Sequence, residues 1–275
     1  MILPIVLDTC TILNLLRIDE DDEFLYKELI KLNINICKTV FDEIYKNIRI
    51  KTFSDNQRKY ISAHVSHFGS NITKCESQFE EDYKKNIQKF CNYKKENGEF
   101  YSTLISLYIC RKEKCRLYFY TDDYPAKSTF ENFFNYQQIG TIGDTVDLLL
   151  FLYWINSDFN QKRLEFYLRN LLSEFAIPLK KFQETIMKNK ESWIKTNPRD
   201  GKLVKNLSNI EDGINKLDLK MIDTGIEYLK HNANKYKWVA TLFDEYSDIK
   251  LEGYMVTRIK TTITRLNDCF IYKVC

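Results

Sequence analysis

Four carboxylates stand where this chain could do chemistry: Asp8, Glu43, Glu99 and Asp122, the last followed directly by Asp123. Asp8 ends the apolar run ILPIVLD; Thr9 and Thr11 follow, and a second apolar run begins. A carboxylate between two such segments is costly unless it is paired, hydrogen-bonded or bound to a cation. Asp122 and Asp123 close the apolar stretch LYFYT, Glu43 lies shortly after NINIC, and Glu99 follows Gly98 at the head of GEFYSTLISLYI. Each acid has an ordinary reading when taken singly. Asp8 could cap a helix, Glu43 could face solvent, Glu99 could sit on a helix dipole, and the Asp pair could form a turn. Together they lie at strand ends and adjoining helix starts, the edge of a parallel sheet where ligands bind. No His, Cys or Lys is interleaved at these positions, and an all-oxygen set suits Mg²⁺ or Mn²⁺. Without a cation, such acids raise one another's pKa.

The elements that must position them follow from periodicity. PIVLDT, dense in β-branched residues, reads as a buried parallel strand, and TILNLLRI as the helix after it. DEFLYKELIKL is amphipathic, with Phe24, Leu25, Leu29 and Leu32 at helical spacing. NINIC is a short strand, and TVFDEIYKNI a helix capped by Thr39. Residues 51–97 predict one or two helices, GEFYSTLISLYICRK a helix, CRLYFYTDD a strand and AKSTFENFF a helix. YQQIGTIGDTVDLLLFLYWI predicts a short strand, a Gly-containing turn and a buried helix. Strands alternating with helices imply an α/β fold with a parallel sheet between helical layers. From about residue 155 the chain is amphipathic without strand signals: DFNQKRLEFYLRNLLSEF, LKKFQETIMKNKESWIK, DLKMIDTGIEYLKHNANKYKWVATLFDEY and MVTRIKTTITRLNDCFIY, with KTNPRDG as the clearest break. The domains expected are 1–154, with a helical insertion at about 51–97, and a mostly helical unit over 155–275.

The segments IVLDTCTILNLL, TVFDEIYKN, GEFYSTLISLYI, YFYTDDYPAK and IGTIGDTVDLLL, in this order, resemble the PIN-domain nucleases. The subgroup resembled has a GE third motif, a DD-x-x-A-[KR] fourth motif and a trailing GT-x-G before an apolar helix. The resemblance covers roughly residues 2–154. It implies a PIN-like, Rossmann-like fold and Mg²⁺- or Mn²⁺-dependent hydrolysis of phosphodiester bonds, chiefly in RNA. By motif, Asp8, Glu43, Glu99 and Asp122 match the catalytic, metal-binding acids, and Asp123 is an auxiliary acid. Thr9, Ser102 and Thr121 stand where hydroxyls support those acids. The stretch 51–97 is longer than the family pattern, and the tail from about 155 lies outside it. A toxin or defence effector restrained by a protein partner, a non-catalytic RNA-binding or interaction module, and a DNA-cleaving nuclease stay open as alternatives.

An acidic site must still attract a polyanion. YKNIRIK (45–51), YKKNIQKFCNYKK (83–95) and KKFQETIMKNKESWIK (180–195) are basic. The second interleaves Tyr83, Phe90 and Tyr93 with Lys84, Lys85, Lys89, Lys94 and Lys95, a composition that suits single strands and equally a solvated helix. Lys46 and Lys127, close in sequence to acid motifs, are further candidates for phosphate contact. Net charge is +3; residues 1–154 hold 20 basic and 22 acidic residues, and residues 155–275 hold 21 and 16. With 44% hydrophobic and 29% charged residues the chain reads as globular. Its apolar runs are too short to span a bilayer, and no signal-peptide pattern is present. A cytoplasmic protein is expected, with eight free, scattered cysteines and no zinc-type ligand spacing. A homo-oligomer stays open.

Overall fold

Ile5, Val6 and Leu7 are at most 1% exposed. They form β1 (Ile5–Leu7), buried on both faces as an interior parallel strand must be. In the computed structural model, which describes residues 3–19, 23–50 and 53–268, β1 leads into α1 (Thr9–Ile18), α2 (Phe24–Leu29), β2 (Ile34–Asn35) and α3 (Lys38–Ile50). Then come α4 (Asp55–Val65), a 3₁₀ turn (Ser66–Asn71), α5 (Ser77–Phe90), α6 (Gly98–Glu113) and β3 (Leu117–Tyr120). α7 (Tyr124–Gln137), β4 (Gly140–Gly143) and α8 (Thr145–Ile155) complete the α/β part. The four strands form one parallel sheet in the order β2-β1-β3-β4. The chain leaves β1 to one side for β2 and returns on the other for β3. The switch point therefore lies between the carboxyl ends of β1 and β3, where Asp8 and Thr121–Asp122–Asp123 stand.

Local chemistry differs from the sequence expectation at three points here. β4 falls on the glycines themselves, not ahead of them. Gly140 has φ +151°, and a Cβ there would stand 1.8 Å from the Leu117 carbonyl oxygen. Only glycine permits that close approach of β4 to β3. The cap of α3 is Cys37, whose Sγ accepts from Val40 N at 3.4 Å, so Thr39 lies inside the first turn. α2 is only six residues and ends before Leu32; Asp22, at the head of that stretch, lies outside the described residues. Residues 53–97 do form two helices, the first opened by a Ser54/Gln57 capping box.

α9 (Gln161–Thr196), α10 (Gly201–Lys216), α11 (Leu219–His231), α12 (Trp238–Glu245) and α13 (Ile249–Asn267) follow. Two compact units divide between Tyr167 and Leu168, not at 154/155. The reason is packing: Phe159 and Tyr167 are fully buried in the first unit. Phe159 meets Phe24 edge-on at 5.3 Å, and Tyr167 donates to Asp19 Oδ1 at 3.0 Å. Asp19, 0% exposed, also accepts from Leu25 N, Tyr26 N and the Tyr60 hydroxyl at 2.8–3.0 Å, joining α1, α2, α4 and α9. The two amphipathic stretches on either side of Pro178 form a single helix, α9. Leu172, Phe175, Leu179, Phe182 and Ile186 continue one apolar stripe through the proline into the second core, and that burial outweighs the lost hydrogen bond. The amphipathic stretch 218–246 forms two helices, α11 and α12, parted after His231. Among the described residues no helix is long and apolar enough to cross a membrane. Cys10, Cys37, Cys75, Cys91, Cys110 and Cys115 are free; Cys269 and Cys275 lie outside the described residues.

Candidate active site

Asp8 occupies the N-cap position of α1 in extended backbone (φ −92°, ψ 164°), yet its side chain makes no capping hydrogen bond. It turns instead to the end of β3. Thr121 Oγ1 donates to Asp8 Oδ2 at 2.9 Å, and Cys10 Sγ at 3.1 Å. Asp8 Oδ1 is buried and has no hydrogen-bond partner. The residue is 2% exposed. Burial, the largest cause, together with the Glu43 charge outweighs these hydrogen bonds and pushes its carboxyl up to about 6.

Glu43, on α3, is gripped from two other elements. Thr9 Oγ1 donates to its Oε2 at 3.0 Å and Gly98 N to its Oε1 at 3.2 Å. Gly98 leaves the space these acids share: a Cβ there would lie 2.6 Å from Glu43 Oε2 and 3.3 Å from Asp8 Oδ1. Glu99, in the first turn of α6, has a buried Oε2 without a hydrogen-bond partner. Burial first, then the charges of Asp8, Asp123 and Glu43, push its carboxyl up to about 7.

The Asp pair divides its work differently from the motif reading. Asp122 is 2% exposed, and hydrogen bonds occupy its carboxylate. Asn14 Nδ2 donates to Oδ2 at 2.7 Å, Thr145 N to Oδ1 at 2.8 Å, and Thr145 Oγ1 to Oδ2. It braces the end of β3 against α1 and the N-terminus of α8. Asp123 caps α7 through Ala126 N at 2.9 Å and is the member of the pair whose charge acts on Glu99. Thr121 joins the set, accepting from Asp123 N at 3.1 Å while donating to Asp8.

Ser102, expected beside the acids, meets the Cys37 thiol at 3.8 Å and no carboxylate. The lysines spread outward. Lys84 pairs with Glu96 at 2.6 Å and Lys127 with Asp147 at 3.9 Å. Lys46, Lys85, Lys89, Lys94 and Lys95 are exposed, and Lys51 lies outside the described residues. Tyr83 stacks on Phe79 and Tyr93 packs on Phe130, so of the three interleaved aromatics Phe90 alone is left largely bare, at 49% exposure.

Sequence reading missed Cys10, Asn14, Thr145 and Gly98 as parts of the site. Asn14 carried a signal, being polar in the apolar helix TILNLL. Cys10 is pushed well above the ordinary thiol range by burial and by the Asp8 and Asp122 charges. It is therefore a thiol that donates, not a thiolate nucleophile.

Among the described residues no three His, Cys, Asp or Glu side chains stand together in metal-holding geometry. The donor chemistry nonetheless fits a hard divalent ion. Two buried carboxylate oxygens lack partners, the acids around them are all oxygen donors, and Gly98 clears the space between two of them. No protein-family model, curated protein or solved structure matches the chain.

Proposed function

We propose that the chain is a metal-dependent nuclease with a PIN-like catalytic unit, acting on the phosphodiester bonds of RNA. The observation that carries this reading is the pair of unpartnered buried oxygens, Asp8 Oδ1 and Glu99 Oε2, in a cluster with Glu43 and Asp123. Asp8, Glu43 and Glu99, with Asp123 beside them, would hold Mg²⁺ or Mn²⁺. Such an ion supplies Lewis-acid polarisation of a phosphate and a lowered pKa for bound water. The remaining residues fix the carboxylates. Thr121 and Cys10 hold Asp8 Oδ2 and leave Oδ1 facing the site. Thr9 and Gly98 N fix the Glu43 rotamer. Asp122 locks the β3 end on which Thr121 and Asp123 ride. Near neutral pH Glu99 is partly protonated, so a cation bound there would release protons.

The test is cleavage of RNA, single-stranded DNA and duplex DNA in Mn²⁺, with Asp8→Asn and Glu99→Gln as controls. RNA should be cut and both variants should be inactive; full activity of Asp8→Asn would sink the assignment. A cytoplasmic toxin or defence effector restrained by a protein partner belongs to the same proposal, and Asp8→Asn should then relieve toxicity on expression. A second reading, a non-catalytic PIN-like module, is favoured by the commitment of Asp122 to Asn14 and Thr145. Titration calorimetry without Mn²⁺ heat, together with no cleavage, would select it.

A further inference from the structure

Two large aromatic rings stand bare at the far end of the α/β unit from the acids. Phe90 closes α5 and is 49% exposed; Tyr136, in the last turn of α7, is 71% exposed. Their centroids lie 5.4 Å apart at an interplanar angle of 28°. Phe133, 3% exposed, backs Phe90 edge-on at 5.5 Å, so the pair rests on the core.

The same end of α7 borders a basic cavity. Arg111 Nη2 donates to Gln137 Oε1 at 2.6 Å. Arg111, Lys114 and Arg116, with Gln138, line a cavity of about 330 Å³ that no acidic residue lines. Among the described residues none of these three cations is ion-paired with an acid. Lys89, next to Phe90, is exposed and equally unpaired.

Stacked rings beside cations that no salt bridge engages, with Glu113 at the cavity's edge bonded by the Cys115 thiol at 3.9 Å, match a strand that offers base faces and phosphates together. A single strand offers both, whereas a duplex keeps its bases stacked inside. Self-association would use the rings and leave the cationic cavity unexplained. α7 has 14 residues, so at 1.5 Å per residue its two ends lie about 20 Å apart. Asp123 caps one end, and Tyr136 stands in the last turn at the other.

We propose that Phe90, Tyr136 and the Arg111–Lys114–Arg116 cavity form a binding surface for single-stranded nucleic acid, separate from the acid cluster. This deepens the nuclease reading and rests on it for the biological substrate; the binding itself is measured independently of cleavage.

The experiment is fluorescence anisotropy of the full chain in EDTA with 12-nucleotide RNA and DNA strands of one sequence, and with the corresponding duplex. The variants are Phe90→Ser/Tyr136→Ser, Arg111→Gln/Arg116→Gln and Tyr136→Phe, with circular dichroism as the check on folding. Stacking of about 1–3 kcal/mol per base corresponds to a loss of at least fivefold on removing the rings. Tyr136→Phe, which keeps the ring, should bind as wild type. The arginine variant should bind more weakly with a shallower salt dependence, and the duplex should bind less tightly than either strand. The RNA and DNA arms identify which strand is preferred. Affinity within twofold of wild type for the double serine variant overturns the proposal. So does light scattering that shows a wild-type dimer lost in that variant while strand affinity is unchanged. Ring-dependent binding without cleavage of any substrate would retain the surface and reject the nuclease.

Discussion

Removing the charge of Asp8 should stabilise the cation-free protein at neutral pH. Its carboxyl is raised from 3.8 to about 6. At 1.36 kcal/mol per pH unit, keeping it ionised in the fold costs up to about 3 kcal/mol. The sign follows from proton counts. Between pH 4 and 6 the folded state holds a proton that the unfolded chain has released. Stability therefore falls as pH rises through that window and is flat, for this group, above it. Asn cannot ionise and escapes the loss. It can still accept from Thr121 through its carbonyl, while its amide occupies the place of the unpartnered Oδ1 beside Glu43. Glu99 titrates together with Asp8 and shares the effect, so a net gain of about 1–2 kcal/mol is expected for Asp8→Asn at pH 7.5, shrinking to nothing or reversing at pH 4. The assay is urea unfolding in EDTA at half-unit steps from pH 4 to 8, followed by a probe on the first unit. Added Mn²⁺ should stabilise wild type by about 2.7 kcal/mol at one hundred times its dissociation constant, and should leave Asp8→Asn unmoved. An Asp8→Asn protein less stable than wild type by the same margin at pH 4 and pH 7.5 would refute the reasoning, because Asp8 would then be a stabilising group and not a strained one.

Three further outcomes follow from particular atoms. Gly98→Ala should weaken Mn²⁺ binding measured by calorimetry at least tenfold, because its Cβ would stand 2.6 Å from Glu43 Oε2 and 3.3 Å from Asp8 Oδ1; the helix itself should tolerate the change, visible as retained ellipticity. Gly140→Ala should prevent soluble folding or cost more than about 4 kcal/mol, because the added carbon would meet the Leu117 carbonyl at 1.8 Å; solubility on expression reads it. Tyr167→Phe should cost about 1–3 kcal/mol in urea unfolding by leaving buried Asp19 one donor short.

The coarse fold was legible because its signals are short-range. β1 and β3 are runs of buried apolar residues, and α1, α3 and α6 carry apolar faces that only a sheet or another helix can cover. The divergences arose where long-range packing decides. A proline normally ends a helix, but the stripe from Leu172 to Ile186 carries α9 past Pro178. Glycines normally mark a turn, but the approach of β4 to Leu117 makes them a strand. The domain boundary moved because Phe159 and Tyr167 fill space beside Phe24 and Asp19, more than 130 residues earlier in the chain.

The acids show the same division between what local sequence can and cannot carry. The placement of Asp8 and Asp122 just after strands was readable from the pattern, because strand-then-acid is a local feature. Their orientation was not. Asp8 stands in a cap position with a cap-forming backbone, and sequence cannot tell a capping carboxylate from one pulled away by Thr121, a hydroxyl 113 residues distant. Neighbours in sequence are no better guides: Asp122 and Asp123 differ by one position, yet three donors from α1 and α8 bind the first while the charge of the second reaches Glu99. The distinction between a brace and a functional acid lies in which buried oxygen is left without a donor, and at this site those oxygens are Asp8 Oδ1 and Glu99 Oε2. On the metal-dependent reading proposed above, a cation would be the partner of these oxygens, and the two carboxyl pKa values and the response to Mn²⁺ would then move together.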